Sequence, residues 1–182
     1  KEDLTLLTRF KGGDASAFGE LVFKYQDRIY NLCRHMLGNP ADAEDAAQDT
    51  FLKAYQALPG FKPDASLYTW LYRIAANTCI DYRRKPVWES LFGRSEEGEK
   101  LIHDRATDAP SPEKLYHAKQ TNRALQRCLG KLSPKLRAII VLKEVEELSY
   151  EEMAETLDIS MGTVKSRIAR AREYLQKCMK NN

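Results

Sequence analysis

The sequence is short of the features from which an active site is built. Its 182 residues include three histidines, His35, His103 and His117, and none has a partner pattern that suggests catalysis. There is no glycine-rich phosphate loop, no metal-ligand spacing and no nucleophile arrangement. An enzyme is therefore not expected, and no cofactor, metal or small-molecule substrate is implied. The four cysteines, Cys33, Cys79, Cys128 and Cys178, are scattered. Three fall within helical patterns and Cys178 near a frayed end, so reduced cytosolic thiols are the expectation. No apolar run approaches membrane-spanning length and no signal-peptide pattern is visible, which also points to the cytoplasm. No segment has the two-residue period of a strand. The charge excess is only +3 at pH 7, so any contact with nucleic acid must come from local concentrations of charge.

What is present is helix with clear punctuation, and the fold class expected is all-α. Near the C-terminus Ser149 followed by Glu152 is a capping box, so a helix starts there, with Met153, Ala154 and Leu157 as its apolar stripe. Asp158 ends it, because Asp tolerates the left-handed conformation that a tight turn between helices needs. Ile159 plugs the turn and Ser160 caps the next helix. In that helix Val164, Ile168, Ala171 and Leu175 face the core. Gly162, Lys165, Ser166, Ala169 and Arg170 fall on the opposite side, with Arg167 and Arg172 on the flanks. This is a helix-turn-helix whose second helix carries bases outward. Small residues at its exposed start let it enter a major groove, where Lys165, Ser166 and Arg170 reach base edges and the flanking arginines hold phosphates. The alternative for these residues alone is a helical hairpin with a solvated basic face.

In the N-terminal half, Gly38, Asn39 and Pro40 read as a helix stop, an N-cap and a first helical residue. The helix that follows reaches about Leu58 and buries Ala47, Phe51, Ala54, Tyr55 and Leu58. Asp45, Gln48 and Asp49 share one exposed patch, and Asp42 and Glu44 extend its acidity toward the helix start. By itself this patch reads as a solvated face. After the loop from Pro59 to Ala65, Ser66 caps a helix reaching Arg84, with Leu71, Ile74, Ala75, Thr78 and Tyr82 inward. Trp70, Arg73, Asn77 and Arg84 cluster on another side. An aromatic ring to stack on bases, cations for phosphate and an amide for a base edge are what an unpaired DNA strand requires. Trp70 as a core residue and the run Arg83–Lys85 as a helix-end charge cluster are the competing reading. Further helices are expected over Asp3–Lys11, Ala15–Leu37, Glu113–Leu129 and Pro134–Glu144, the last with Ser133 as its cap.

Helical patterning fails between Pro86 and Pro112. Acidic Glu96, Glu97 and Glu99 mark a linker there, although Trp88, Leu91 and Phe92 are more apolar than a plain tether needs. The expected organisation is two small helical domains, 1–85 and 113–182, joined by the linker 86–112.

Three runs, in order, resemble bacterial RNA polymerase sigma factors of the extracytoplasmic-function type. Asp42–Phe51 (DAEDAAQDTF) is similar to the family helix that docks on the clamp helices of polymerase. Tyr68–Thr78 (YTWLYRIAANT) resembles the segment that opens and reads the −10 element. Leu148–Glu152 (LSYEE) with Gly162–Arg167 (GTVKSR) resembles the −35 reader. The resemblance implies that Asp45, Gln48 and Asp49 dock on core polymerase and that Asn77 helps hold a flipped −10 base. The loop from Phe61 to Leu67 would form that base's pocket, beside Trp70, Arg73 and Arg84. Lys165, Ser166, Arg167 and Arg170 would face −35 DNA. Two departures stand out: Leu67 replaces a common aromatic, and Asp158 a common glycine. The implied function is an alternative sigma factor that directs core polymerase to specific promoters and assists melting. Its implied partners are the β′ clamp helices and β flap of the core, promoter DNA as duplex and melted strand, and an anti-sigma factor, often membrane-tethered. Without the resemblance, a stand-alone helix-turn-helix regulator fits the C-terminal half equally well.

Overall fold

The computed structural model describes residues 2–62, 66–84 and 123–181, and among these every regular element is helical. The first helix, α1 (Glu2–Lys11), has Glu2 and Asp3 in its first turn and Arg9 and Lys11 in its last, complementing the helix dipole at both ends. A turn through Gly13, at φ 97°, leads to α2 (Ser16–Leu37). This long helix buries Leu21, Tyr25, Ile29, Leu32 and Met36 along one stripe.

Gly38 ends α2 at φ 84°, donating its N–H to the carbonyl of Arg34. The Asn39 side chain accepts from the Ala41 N–H at 2.9 Å, and Pro40 opens α3 (Pro40–Ala57). The inward residues of α3 are small: Ala43, Ala46, Ala47, Thr50 and Ala54. The Thr50 hydroxyl is satisfied by the Ala46 carbonyl at 2.7 Å. Tyr55 departs from the sequence expectation. It is 48% exposed, because only one edge of its ring is covered, by Phe10 and Phe18 at centroid distances of 5.5 and 5.0 Å. A short 3-10 turn, Leu58–Gly60, leads toward α4 (Leu67–Arg84), whose Trp70 N–H bonds back to the carbonyl of Ser66. Helices α2, α3 and α4 pack on one another, and α1 lies along α2.

The C-terminal half begins with helix α5, described over 123–131; the start expected at Glu113 lies outside the described residues, as does the whole linker 86–112. Ser133 caps α6 (Pro134–Glu144), accepting from the Leu136 N–H. Nearly all of α6 is buried from Arg137 to Leu142. A helix covered on every side must have neighbours on every side. Here α8 packs on one face and α2 and α4 on the other. The capping box at the start of α7 (Tyr150–Leu157) is complete in both directions, Ser149 N–H to Glu152 at 2.7 Å and Glu152 N–H to Ser149 at 3.1 Å. Asp158 takes the left-handed conformation (φ 53°, ψ 52°), and Ser160 caps α8 (Met161–Lys180) by accepting from Thr163.

The two halves do not keep separate cores. Their buried side chains form one continuous cluster, from Leu6 through Tyr72 to Ile139 and Val164. The seam also carries polar contacts. Arg137 donates to the His35 carbonyl at 2.7 Å, and Arg83 to those of Met36 and Gly130 at 3.2 and 2.7 Å. The Tyr72 hydroxyl donates to the Glu146 carboxylate. Tyr72 is fully buried on a face of α4 for which the sequence suggested no neighbour.

One cysteine expectation is overturned. Cys128 and Cys178 form a disulfide with Cα atoms 5.9 Å apart, whereas Cys33 and Cys79 are buried thiols. The pairing joins residues 50 positions apart, so no local spacing betrays it.

Candidate nucleic-acid interface

The acidic face of α3 lies as the helical period requires. Asp45 and Gln48 are exposed and Asp49 is half-exposed. Asp49 is also tied down, accepting from the Tyr82 hydroxyl at 2.8 Å. Burial, and then Asp49, raise the Tyr82 phenol well above the ordinary range, so it stays a donor. One residue not singled out by the sequence pattern adjoins the patch. Leu52 is 63% exposed one turn beyond Gln48 and Asp49, giving the acidic stripe an apolar edge. An exposed leucine at i+4 from a polar patch was a signal available in the sequence.

On α4, Asn77 and Arg84 are exposed and Arg73 is half-exposed. Trp70 is half-buried, its ring centroid 5.0 Å from that of Phe61. Phe61 and Leu67 need correcting as direct strand contacts: they are 5% and 6% exposed and belong to the core. Burial of these two apolar side chains in the core takes them away from a strand on the surface. The middle of that loop, 63–65, lies outside the described residues. Beneath Phe61, Lys11 donates to its carbonyl at 2.6 Å, tying the loop to α1.

On α8, Lys165, Ser166 and Arg170 are exposed together, opposite buried Val164, Ile168 and Ala171. Arg167 is half-buried. Arg172 is held at 2.7 Å by Glu144, with both side chains about half exposed.

The structure sets the predicted strand-binding side of α4 against the helix-helix turn and one flank of α8, while Lys165, Ser166 and Arg170 stay exposed outside that space. Arg73, Asn77 and Arg84 of α4 line a cleft of about 620 Å³, with Lys135 of α6, Asp158 of the helix-helix turn and Arg167 of α8. Arg73 crosses it to Asp158 at 3.1 Å. The seam between the two halves is costly for charge. Burial, and then the neighbouring Arg83 and Arg34, push the Arg137 guanidinium down to about 10. Burial raises the Glu146 carboxyl above its usual range, against the hydrogen bond from Tyr72 that lowers it. Among the described residues no cluster of side chains could hold a metal ion, and no helix is long and apolar enough to cross a membrane.

Family models match both halves: sigma-70 region 2 over residues 21–89 and sigma-70 region 4 over 122–175. The ECF RNA polymerase sigma factor SigW of Bacillus subtilis is 39% identical over 178 residues, covering 96% of this chain and 95% of that protein. The ECF sigma-E factor of Escherichia coli K12 is 38% identical over 179 residues, covering 95% and 92%. Among solved structures, CnrH in complex with the cytosolic domain of CnrY superposes with a TM-score of 0.70 at 28% identity, covering 100% of this chain and 99% of that one. The sigma factor RpoE of Bartonella quintana, in complex with the anti-sigma factor NepR, gives 0.66 at 26% identity, covering 90% and 96%. With both regions matched in order, and with relatives aligned over nearly its whole length, the chain belongs to the extracytoplasmic-function RNA polymerase sigma factors.

Proposed function

We propose that this chain is a dissociable initiation subunit that brings core RNA polymerase to a subset of promoters and helps melt the start region. It acts as a binding factor, with catalysis left to the polymerase. The observation that carries the reading is the coexistence of two differently built nucleic-acid surfaces, on α4 and α8, within the two matched regions. Polymerase docking is assigned to Asp45, Gln48 and Asp49, and the exposure of Leu52 beside them supports it: an apolar side chain bordering a charged patch suits a protein partner. Asn77 is assigned to an extruded −10 base, with Trp70, Arg73 and Arg84 along the strand. Lys165, Ser166 and Arg170 are assigned to −35 base edges, and Arg167 to the backbone beside them.

The closed cleft bears on how these surfaces are used. Arg73 and Asn77 share the cleft with Arg167, whereas Lys165, Ser166 and Arg170 lie outside it, so the strand side of α4 is partly screened by the other half while the reading face of α8 is open. Engaging both promoter elements requires the halves to part, with 86–112 as the tether. Two solved relatives were captured with CnrY and with an anti-sigma factor. By analogy, a separate inhibitor holds this chain in a compact form in the cytoplasm, at the inner membrane face if the inhibitor is membrane-tethered. Core polymerase and inhibitor then compete.

In vitro transcription with purified core polymerase tests the first claim. Promoter-specific initiation with core alone is expected; duplex binding without initiation would return the chain to the stand-alone regulators. The second claim is tested by mixing inhibitor, sigma chain and core. A stable ternary complex that initiates normally would refute competition.

A further inference from the structure

We propose that Cys128 and Cys178 are a reversible thiol–disulfide pair, oxidised by low-molecular-weight disulfides, whose state sets the stability of the −35-reading half. Three observations carry it. First, the bond joins α5 to the last turn of α8 across a sequence separation of 50, a span that contains α6 and α7 entire. Second, α8 has no buried residue beyond Ala171. Its last turns offer only half-buried Leu175, Cys178 and Met179, so the link to fully buried Cys128 is their firmest anchor. Third, access is asymmetric: Cys178 is half-exposed and Cys128 is sealed, which makes Cys178 the sulfur that a small molecule meets.

The chemistry is a two-step exchange. The Cys178 thiol loses its proton and attacks one sulfur of the small disulfide; that S–S bond breaks and one small thiolate leaves. The Cys128 thiol then loses its proton and attacks Cys178 Sγ in the mixed disulfide, expelling the second small thiolate as the protein S–S bond forms. Two cysteines are oxidised by two electrons in all, one small disulfide is reduced to two thiols, and the two protons released end on those thiols. Reduction runs the same path backward, entering again at Cys178.

The N-terminal half supplies an internal contrast. Cys33 and Cys79 approach within hydrogen-bonding reach across α2 and α4, yet both are fully buried and are thiols. Neither buried sulfur there can reach and attack a small disulfide, so oxidation should distinguish the two pairs. The bond also extends a mechanical line. Gly130, two residues beyond Cys128, is held by Arg83 of α4 at 2.7 Å, so in the oxidised state the DNA-reading helix is tied through α5 to the N-terminal half.

The test equilibrates the full-length protein in glutathione buffers of graded ratio, traps thiols with a maleimide and maps the peptides. Oxidised glutathione should remove two thiols and link the peptides containing Cys128 and Cys178, leaving Cys33 and Cys79 alkylated after unfolding. The melting midpoint of the oxidised protein should exceed that of the reduced protein by about 10 °C or more. Run-off transcription at a temperature between the midpoints should fall on reduction. Cys178→Ser and Cys128→Ala should each behave as the reduced protein in every buffer, and the reduced wild type controls for misfolding of either variant. Four free thiols in oxidised glutathione, or a Cys33–Cys79 link, would overturn the pair itself. A bridged protein whose midpoint does not depend on redox state would overturn the link to stability. Thiol mapping needs no polymerase, so its failure is distinct from failure of the sigma-factor reading.

Discussion

Replacing Tyr72 by Phe isolates the strength of the seam between the two halves. The ring is fully buried, its centroid 4.3 Å from that of Tyr68 at a tilt of 48°, and phenylalanine keeps that packing. Only the hydroxyl is lost, and with it the hydrogen bond to Glu146. A hydrogen bond to a charged group is worth about 1.5–3 kcal/mol. Glu146 is only partly buried, so water can replace part of the loss, and about 1–2 kcal/mol is a sound expectation. That corresponds to a ~5- to 30-fold shift of the closed–open equilibrium toward open. Dyes attached through non-natural amino acids at exposed Gln26 and Gln176 would report it by single-molecule energy transfer. The same variant should bind core polymerase more tightly, because a smaller share of the chain is held in the closed form. An unchanged open fraction, with unfolding stability also unchanged, would refute the claim that this hydrogen bond closes the molecule.

Acid should act on the same seam in the opposite direction. The Glu146 carboxyl is raised in the closed form, chiefly by burial, so its charged state penalises closure above its folded value and protonation relieves the penalty as pH falls through it. The open fraction should therefore shrink on mild acidification, and Glu146→Gln should flatten that dependence in the energy-transfer assay. Asp45→Lys should weaken core binding by far more than it shifts the melting curve. Asp49→Lys should also lower stability by about 1–3 kcal/mol, because Tyr82 loses its acceptor; calorimetry beside a core titration separates the two effects. Lys165→Ala, Ser166→Ala and Arg170→Ala should each shift −35 base preference by ~1–3 kcal/mol. Arg172→Ala, held away by Glu144, should lower affinity slightly and evenly across sequences, as binding to a randomised −35 library would record.

Local punctuation was legible because its causes are local. Gly38, Asn39 and Pro40, the Ser149–Glu152 box, left-handed Asp158 and the caps Ser133 and Ser160 each need only a few neighbouring residues, and all are where the sequence places them. The exposed sides of α3, α4 and α8 followed from the helical period for the same reason. What failed to show was anything requiring a second surface. Tyr72 and Arg137 are buried because the other half covers them, which no periodicity within α4 or α6 records. Phe61 and Leu67 matched a motif position by resemblance, but burial acts on their apolar side chains irrespective of motif. The bond between Cys128 and Cys178 depends on where two helices end in space.

The inward face of α3 is a layer of methyl groups, Ala43, Ala46, Ala47 and Ala54, broken only by Thr50. Side chains this small let the backbone lie close to its neighbours, so the height of the opposite, solvent-facing surface is gauged by the width of a methyl. A leucine at Ala46 or Ala47 would cost about 1–3 kcal/mol of overpacking, and it would also lift Asp45, Gln48 and Leu52 outward or rotate them about the helix axis. Variants of this kind change no surface residue and would pass a survey of exposed positions, yet under the docking assignment proposed above they would score as docking defects. The alanines of α3 are then as much a part of that surface's specification as the residues on it.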